Sequence, residues 1–414
     1  MPTFSIPLSG LTASSEALST IANNLANLNT TGYKDQRAQF QDLFYQSLGS
    51  TGAGDPILQG AGVRVGSIPS IFTQGSVSSS GVNTDVAIQG EGFFLSQSSS
   101  GATTYTRAGN FSIDKNGFLV TNDGGQVLGY PAVNGIISAG QSVAPLTLGT
   151  GQLSPPTATS TVSATTNLDA TAAVGDTFST PVTVFDSLGA SHVLSFNFAK
   201  TGSGAWSYTI TIPAADIGAA GPGPVTLNSG TLAFDGAGNL TAPAANVTGI
   251  TATGFADGAN PLAFTWQLYD KSGSPLVHQE AAPSSTSSTQ QDGNGSGSLV
   301  NFNIGSDGTI SGSFSNGRTA LLGRVALATF GNNEGLLRVG ESGFVPTLAS
   351  GQAVVGAPGT GGRGTLSGGA LELSNVDIAS EFAALIVAQR TFQANAKAVT
   401  TFDQVTQDTI NLKQ

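Results

Sequence analysis

The chain has 414 residues, of which only 9% are charged, with a net charge of -11 and no cysteine. This length predicts two to four domains, and so little charge predicts a surface rich in Ser, Thr, Asn, Gln and Gly. The acidic balance argues against nucleic acid and anionic membranes as partners, and the absence of cysteine excludes disulfides, thiolate catalysis and cysteine-ligated metals.

The N-terminal segment lacks the pattern of a cleavable secretory signal. Its first basic residue is Lys34, and its apolar residues are spaced rather than contiguous. No run of 18 apolar residues occurs anywhere in the chain, so we expect no insertion into a membrane.

Heptad spacing near the N-terminus predicts an α-helix from about Ser9 to Leu28. Ser9 is the expected N-cap, and Gly32 follows closely enough to end the helix. The apolar stripe of this helix is formed by Leu11, Leu18, Ile21, Leu25 and Leu28.

The long middle of the chain reads as β structure. One turn motif recurs, in which Asp is followed three residues later by Gly between apolar residues. Asp begins such a turn by bonding to the backbone ahead, and Gly supplies the positive φ that closes it. The motif occurs at 114–117, 186–189, 235–238 and 270–273.

Two segments rich in Ser, Thr, Pro and Gly, at 149–165 and 281–298, predict linkers or long loops. Residues 146–300 contain nine acidic and two basic residues, which is -7 of the net -11. A compact, acidic β domain is therefore expected between the linkers.

A second helix is predicted at the C-terminal end, capped by Asn375 or Asp377 and running to about Leu412. Its stripe includes Ile378, Phe382, Leu385, Phe392, Val399 and Phe402. Narrow, nearly uncharged stripes at both ends favour mutual pairing as a coiled coil. Separate packing of each helix on its own globular core is the alternative.

The candidate chemical motifs carry little support. His192 and His278 lie in strand-like contexts without the spacing of a triad or zinc site. Residues 359–364 match G-x-G-x-x-G, but Thr365–Gly369 cannot open the helix that dinucleotide binding requires. Residues 292–297 lack the terminal Glu of a calcium loop. We therefore predict no catalytic, metal-binding or cofactor-binding residue, and no cofactor.

Several sequence blocks together resemble the bacterial flagellar axial proteins, the rod and hook family, and within it the hook type. Those shared with rod proteins are Leu8–Leu11, Asn23–Asn27, Thr31–Lys34, Thr84–Phe94, Tyr105–Phe111, Asn375–Asp377 and Ala388–Asn395. The hook-type blocks are Thr183–Gly189 and Phe330–Leu336. The match covers roughly residues 1–145 and 299–414, and the large insert favours a hook protein over a rod protein.

This resemblance implies a mainly β fold with α-helical termini and nested, discontinuous domains. The terminal helices, 1–28 with 375–414, would pair as a coiled coil. Residues 29–75 would form an extended connector, 76–145 with 299–374 an inner β domain, and 146–298 an outer β domain.

The function implied is that of a non-enzymatic subunit of the flagellar hook, outside the cell. Such a subunit forms a hollow, curved homopolymer that works as a universal joint between rod and filament. Implied partners are further copies of the chain, the rod, hook-cap and hook-filament junction proteins, and the type III export apparatus. The alternatives are a distal rod protein of the same family or, less well supported, a surface-layer or adhesin protein, which would not explain heptad stripes at both ends.

Overall fold

The computed structural model describes residues 5–44, 46–50, 55–138, 140–148, 153–221 and 223–412. The fold is mainly β, with one α-helix near each terminus, as expected: α1 (Ser5–Ala26) and α2 (Ile378–Asn411). A short 3-10 helix spans Asn333–Gly335. No helix in these ranges is both long and apolar enough to cross a membrane.

The strands, in chain order, are β1 (Gln39–Asp42), β2 (Gln46–Ser50), β3 (Pro56–Gln59), β4 (Val63–Ser67), β5 (Val77–Ser79), β6 (Val86–Gln89), β7 (Phe93–Gln97), β8 (Thr103–Thr106), β9 (Ser112–Ile113), β10 (Leu119–Val120), β11 (Gln126–Pro131), β12 (Ala144–Pro145), β13 (Leu153–Ser154), β14 (Thr161–Asp169), β15 (Thr177–Phe185), β16 (Ser191–Gly202), β17 (Ala205–Ile212), β18 (Val225–Phe234), β19 (Leu240–Ala242), β20 (Val247–Ala252), β21 (Leu262–Gln267), β22 (Val277–Glu280), β23 (Ser285–Gln291), β24 (Gly297–Ile304), β25 (Thr309–Phe314), β26 (Thr319–Val325), β27 (Leu327–Thr329), β28 (Leu337–Gly340), β29 (Gly343–Val345), β30 (Val354–Gly356), β31 (Thr365–Gly368) and β32 (Ala370–Glu372).

Helix α1 begins earlier than its pattern predicts, and Ser9 is not its N-cap. The Ser9 hydroxyl donates to the carbonyl of Ile6 (2.7 Å) and accepts from the N–H of Val63 (3.2 Å). Pro7 lies in the first turn, where a missing N–H costs nothing because those amides have no partner within the helix. Gly32 does not end the helix, because α1 ends at Ala26. Its φ of +65° belongs to a later turn in which the Tyr33 N–H donates to the carbonyl of Thr30.

Helix α2 begins after Asp377, so its N-cap is Asp377 and not Asn375. The backbone of Asp377 is extended, and its carboxylate accepts from the N–H of Ser380 at 2.8 Å. The other candidate, Asn375, has a different task. Its amide donates to the carbonyls of Ile71 and Thr73 and accepts from the N–H of Asp35.

The recurring Asp-to-Gly motif forms the predicted turns. In the turn that begins at Asp114, Oδ1 accepts from the N–H groups of Asn116 and Phe118, and Gly117 has a φ of +85°. The turns beginning at Asp186, Asp235 and Asp270 repeat these bonds. One carboxylate oxygen therefore organises each turn. The other oxygen accepts from a side-chain amide in Asp114 and Asp235, whereas in Asp186 it contacts His192.

The chain divides into two compact units. Unit 1 contains residues 1–150, 301–312 and 320–414, and unit 2 contains 151–300 and 313–319. In unit 1, strands from the two distant segments pair directly: β7 pairs with β27, and β11 pairs with β26. The core around these strands is aromatic, with Phe93 in edge contact with Phe72, Phe330 and Phe344.

Unit 2 contains two sheets. One is antiparallel, in the order β15-β16-β17-β18-β19, and the other has the order β20-β21-β14-β22, with β23 also paired to β14. Strand β16 alternates as its sequence predicts, with Leu194, Phe196 and Phe198 buried. Both tryptophans of the chain, Trp206 and Trp266, are buried in this unit.

Candidate functional site: the paired terminal helices

The two ends of the chain come together in unit 1, where α1 lies beside α2. Asn24, near the end of α1, donates to Glu381 Oε2 (3.3 Å) near the start of α2. Ser14 lies ten residues before Asn24 in α1, and its hydroxyl accepts from the side-chain amide of Asn395 (3.5 Å). Asn395 lies 14 residues after Glu381 in α2. The order along one helix is reversed along the other, so the helices run antiparallel.

At Gly10 of α1 there is no room for a larger side chain beside α2. A Cβ added at Gly10 would lie 2.9 Å from the amide atoms of Asn395. Gly10, Ser14 and Asn24 were not part of the predicted leucine stripe. Gly10 and Ser14 are four residues apart, and Asn24 follows Ser14 by ten, so all three lie on one face of α1. The apolar periodicity does not include them, because none has an apolar side chain.

The structure places most of the predicted stripe residues in half-buried positions. Ile378 and Phe382 are instead exposed. The half-buried residues are Leu11, Leu18, Ile21, Leu25, Leu28, Leu385, Phe392, Val399 and Phe402. Leu28 lies just beyond the end of α1. A heptad seam formed by these side chains remains a prediction.

A groove of about 350 Å³ runs beside the helix pair and the connector strand β1. Its apolar lining comes from Ala17, Ile21, Phe40, Ala384, Val387 and Ala388. The connector segment therefore contributes to the same surface as both helices.

A buried ionic cluster anchors the region next to the helices. Lys34 Nζ donates to Glu372 Oε1 (2.6 Å) and to the carbonyl of Thr73 (2.8 Å). Arg107 contacts the other oxygen of Glu372 at 3.4 Å. Burial lowers the pKa of Lys34 and of Arg107, and the charge of Glu372 opposes this in both. Three distant chain segments are thereby held at one point.

No motif in the sequence singles out Glu372, although Lys34 and Arg107 lie within the family-like blocks. One weak indication in the sequence is the placement of this carboxylate among apolar residues. Glu372 is a single carboxylate on the apolar strand β32, two residues after Ala370, and it is fully buried. A charge in that position requires a buried partner.

Asn24 joins α1 to both the connector and α2. Its carbonyl oxygen accepts from the Tyr33 hydroxyl (3.2 Å) and the Gln36 N–H (3.1 Å), and its amide donates to the Gln36 carbonyl (2.8 Å). The Arg338 guanidinium stacks over the Tyr33 ring at 4.3 Å. The buried side chain of Asn24 thus bonds to both the N–H and the carbonyl of Gln36, as a paired backbone segment would.

Helix α2 exposes much apolar surface even though α1 covers one side of it. None of its described residues is fully buried. The apolar side chains that are about half or more exposed are Ile378, Phe382, Ile386, Val387, Val405 and Ile410. Exposed apolar side chains in this number are typical of a surface that binds another protein.

Unit 2 contains a group of side chains that the sequence did not reveal as a group. His192, predicted to be an ordinary strand histidine, is indeed on strand β16, but it lies between the carboxylates of Asp186 and Asp216. Asp186, His192 and Asp257 together form a set of side chains whose oxygen and nitrogen atoms are of the types that hold metal ions. Among the described residues, no other set of three or more such side chains converges in this way.

Four family models match the chain in order. "Flagella basal body rod protein" matches residues 6–34, and "Flagellar hook protein FlgE/F/G D1 domain" matches 87–167. "Flagellar basal body protein FlaE D2 domain" matches 152–294, and "Flagellar basal body rod FlgEFG protein C-terminal" matches 367–412. The first and last models fall on the two paired helices.

Full-length relatives agree with these models. The chain is 36% identical to the flagellar hook protein FlgE of Escherichia coli (strain K12) over 99% of this chain and 100% of the relative. It is 35% identical to the protein of the same name from Treponema pallidum (strain Nichols), over 98% of each. Among solved structures, the crystal structure of Helicobacter pylori flagellar hook protein FlgE2 matches at 15% identity, covering 70% of this chain and 98% of that one with a TM-score of 0.47.

Similarity of this extent spans every block that carried the resemblance, including the large insert that separates hook-type from rod-type chains. The relatives are structural proteins of the flagellar hook. The chain therefore belongs to the flagellar hook protein FlgE family and is a structural subunit of the bacterial flagellar hook.

Proposed function

We propose that this chain polymerises outside the cell into a hollow, curved helical tube that acts as a universal joint between rod and filament. Its partners are copies of itself, the rod, hook-cap and hook-filament junction proteins, and the type III export apparatus. The paired helices form the inner layer. The connector (29–75), the inner β domain (76–145 with 299–374) and the outer β domain (146–298) follow outward.

The exposed apolar side chains of α2 carry this proposal. The helix has 34 residues and is about 50 Å long at 1.5 Å per residue. Ile386 and Val387 are 58% and 66% exposed, on the part of the helix that runs beside α1. Burying such a side chain against a neighbouring copy yields about 1.5–3 kcal/mol, and the gain repeats in every subunit of a polymer.

The low charge of the chain supports movement between subunits. In a rotating curved tube, each subunit must exchange one set of neighbour contacts for another. Strong ion pairs favour a single register, whereas polar contacts rich in Ser, Thr and Gly allow several packings of similar energy. Only 9% of the residues are charged, which suits the second arrangement.

The substitution Ile386→Asp tests the assembly surface. Because Ile386 is exposed in the single subunit, the variant keeps its fold, and we expect it to fail to form tubes under conditions in which the parent chain polymerises. Ile386→Leu is the matched control and should assemble. Electron micrographs and light scattering of the purified chains provide the measurement.

Normal tubes from Ile386→Asp would contradict the assignment of this face to the polymer. The shape of the parent tubes tests the remaining part of the proposal. Curved tubes are expected of a universal joint, and uniformly straight ones would contradict that role.

A further inference from the structure

We propose that Asp186, His192 and Asp257 of unit 2 form a binding site for one divalent transition-metal ion of the Zn²⁺ type. The inference is independent of polymerisation, because all three residues and their supporting contacts lie within residues 151–300.

Three separate chain segments bring the ligand atoms together. Asp186 directly follows β15, His192 is the second residue of β16, and Asp257 lies in the loop between β20 and β21. One ligand atom from each residue lies within 4.8 Å of the other two. His192 Nε2 and Asp186 Oδ2 are 2.9 Å apart, so an ion between them, with bonds of about 2.0–2.2 Å, requires the two atoms to separate by only a few tenths of an ångström.

The imidazole is held in the orientation that a metal ligand needs. Its Nδ1 lies 3.2 Å from Asp216 Oδ2, and its ring lies against Phe255 with 4.6 Å between the ring centroids. When the ring is neutral and Nδ1 donates to Asp216, Nε2 carries the lone pair and faces Asp186, which is the state that an ion at Nε2 requires. Metal-bound histidines almost always donate their other ring N–H to a carboxylate, a backbone carbonyl or water.

Asp186 can serve both the turn and the ion. Its Oδ1 accepts from the N–H groups of Leu188 and Ala190 and so organises the turn, while Oδ2 points to His192. Asp257 uses Oδ1 in the same way, accepting from the N–H of Ala259. The turn roles therefore leave one oxygen of each carboxylate for the site.

Charge favours a cation at this point. Asp186, Asp216 and Asp257 surround a single imidazole, and Asp186 is fully buried. A divalent ion reduces the charge of the ionised set from -3 to -1. Asp257 is exposed, which provides a path by which an ion enters.

The donor set indicates which ions bind. Imidazole nitrogen favours Zn²⁺ and other transition metals over Mg²⁺ and Ca²⁺, which prefer oxygen alone. Three protein ligands leave a fourth tetrahedral position for water. We therefore expect Zn²⁺ to bind more tightly than Ca²⁺.

Thermal unfolding of the full chain, followed by tryptophan fluorescence, tests the site. Both tryptophans are in unit 2, so the signal reports on this unit. We expect micromolar ZnCl₂ to raise the midpoint and EDTA to reverse the effect, since an ion that binds only the folded state stabilises it. An equimolar amount of CaCl₂ should have a smaller effect.

Two variants make the test specific. Asp257→Asn retains the Oδ1 acceptor for the turn but loses an ionised ligand, so the Zn²⁺ shift should disappear while the midpoint in EDTA stays near that of the parent. Asp216→Asn should weaken Zn²⁺ binding about 10–100-fold, as loss of a supporting carboxylate typically does.

His278→Ala is the matched control, because it removes the only other histidine of the chain. It should retain the full Zn²⁺ shift. A parent chain without a shift, an equal shift in Asp257→Asn, or a shift lost in His278→Ala would each overturn the proposal.

Discussion

Lys34 and Glu372 form a fully buried ion pair, with 2.6 Å between Nζ and Oε1, although 338 positions separate them in the chain. Glu372 also accepts from the N–H of Gly75 (2.9 Å) and contacts Arg107. The carboxylate of Glu372 is thus the shared partner of two buried cations. Its contact with Lys34 is closer (2.6 Å) than its contact with Arg107 (3.4 Å).

The first prediction concerns this ionic cluster. Glu372→Gln leaves two cations buried without their counter-charge and should destabilise unit 1 by about 3–5 kcal/mol. Lys34→Met removes one cation but keeps the Arg107–Glu372 pair, so its cost should be smaller. Urea unfolding followed by far-UV circular dichroism measures both, with tryptophan fluorescence as the reference for unit 2. Equal costs for the two variants would contradict the central position of Glu372.

The second prediction concerns Gly109, in the block Tyr105–Phe111. A Cβ at Gly109 would lie 1.7 Å from the carbonyl oxygen of Val86, which is backbone and cannot move aside. Gly109→Ala should therefore cost about 3 kcal/mol or more, at the upper end of overpacking effects. Gly331→Ala is the control, since the nearest atom to its added Cβ is 3.9 Å away. Comparable melting temperatures for the two variants would disprove the steric explanation.

The third prediction concerns pH at the start of α2. Burial raises the pKa of Glu381, the nearby charge of Asp35 raises it further, and Asn24 and Arg37 oppose both effects. Burial also raises the pKa of Asp35. A carboxyl with a raised folded-state pKa stabilises the fold fully below its unfolded-state pKa. That contribution is lost as pH rises through the folded-state value.

Helix pairing should accordingly weaken as pH increases from the ordinary carboxyl range to just above it. In Glu381→Gln, which cannot ionise, this pH dependence should be reduced. Hydrogen exchange of α2 amides, corrected for the intrinsic effect of pH, provides the measurement. An identical pH profile in the variant would show that Glu381 does not contribute.

The fourth prediction concerns the independent folding of unit 2. The hydrophobic core of unit 2 is built from residues between Val162 and Val277, and a family model covers 152–294. A fragment of residues 153–296 should therefore fold alone into a β-rich monomer with buried tryptophans. Circular dichroism and the fluorescence emission maximum test this. A disordered spectrum would show that the segment depends on the rest of the chain.

Local patterns in the sequence were sufficient for much of this fold. The two terminal helices, the Asp-to-Gly turns and the alternating burial of β16 each follow from interactions between residues a few positions apart. Such interactions have fixed periods and fixed turn chemistry, so a single sequence reveals them. The start of α1 was misplaced because Pro7 and Ser9 suit both a helix start and a first turn.

The functional details depended on contacts that no local pattern encodes. Glu372 meets Lys34, Gly10 meets Asn395, and His192 meets Asp216 only after distant segments pack together. The spacing between such residues along the chain follows no rule, because intervening loops and strands can have any length. The sequence by itself determined which elements form and to which family they belong. The tertiary structure decided which buried charges, glycines and imidazole meet, since burial and distance exist only in three dimensions.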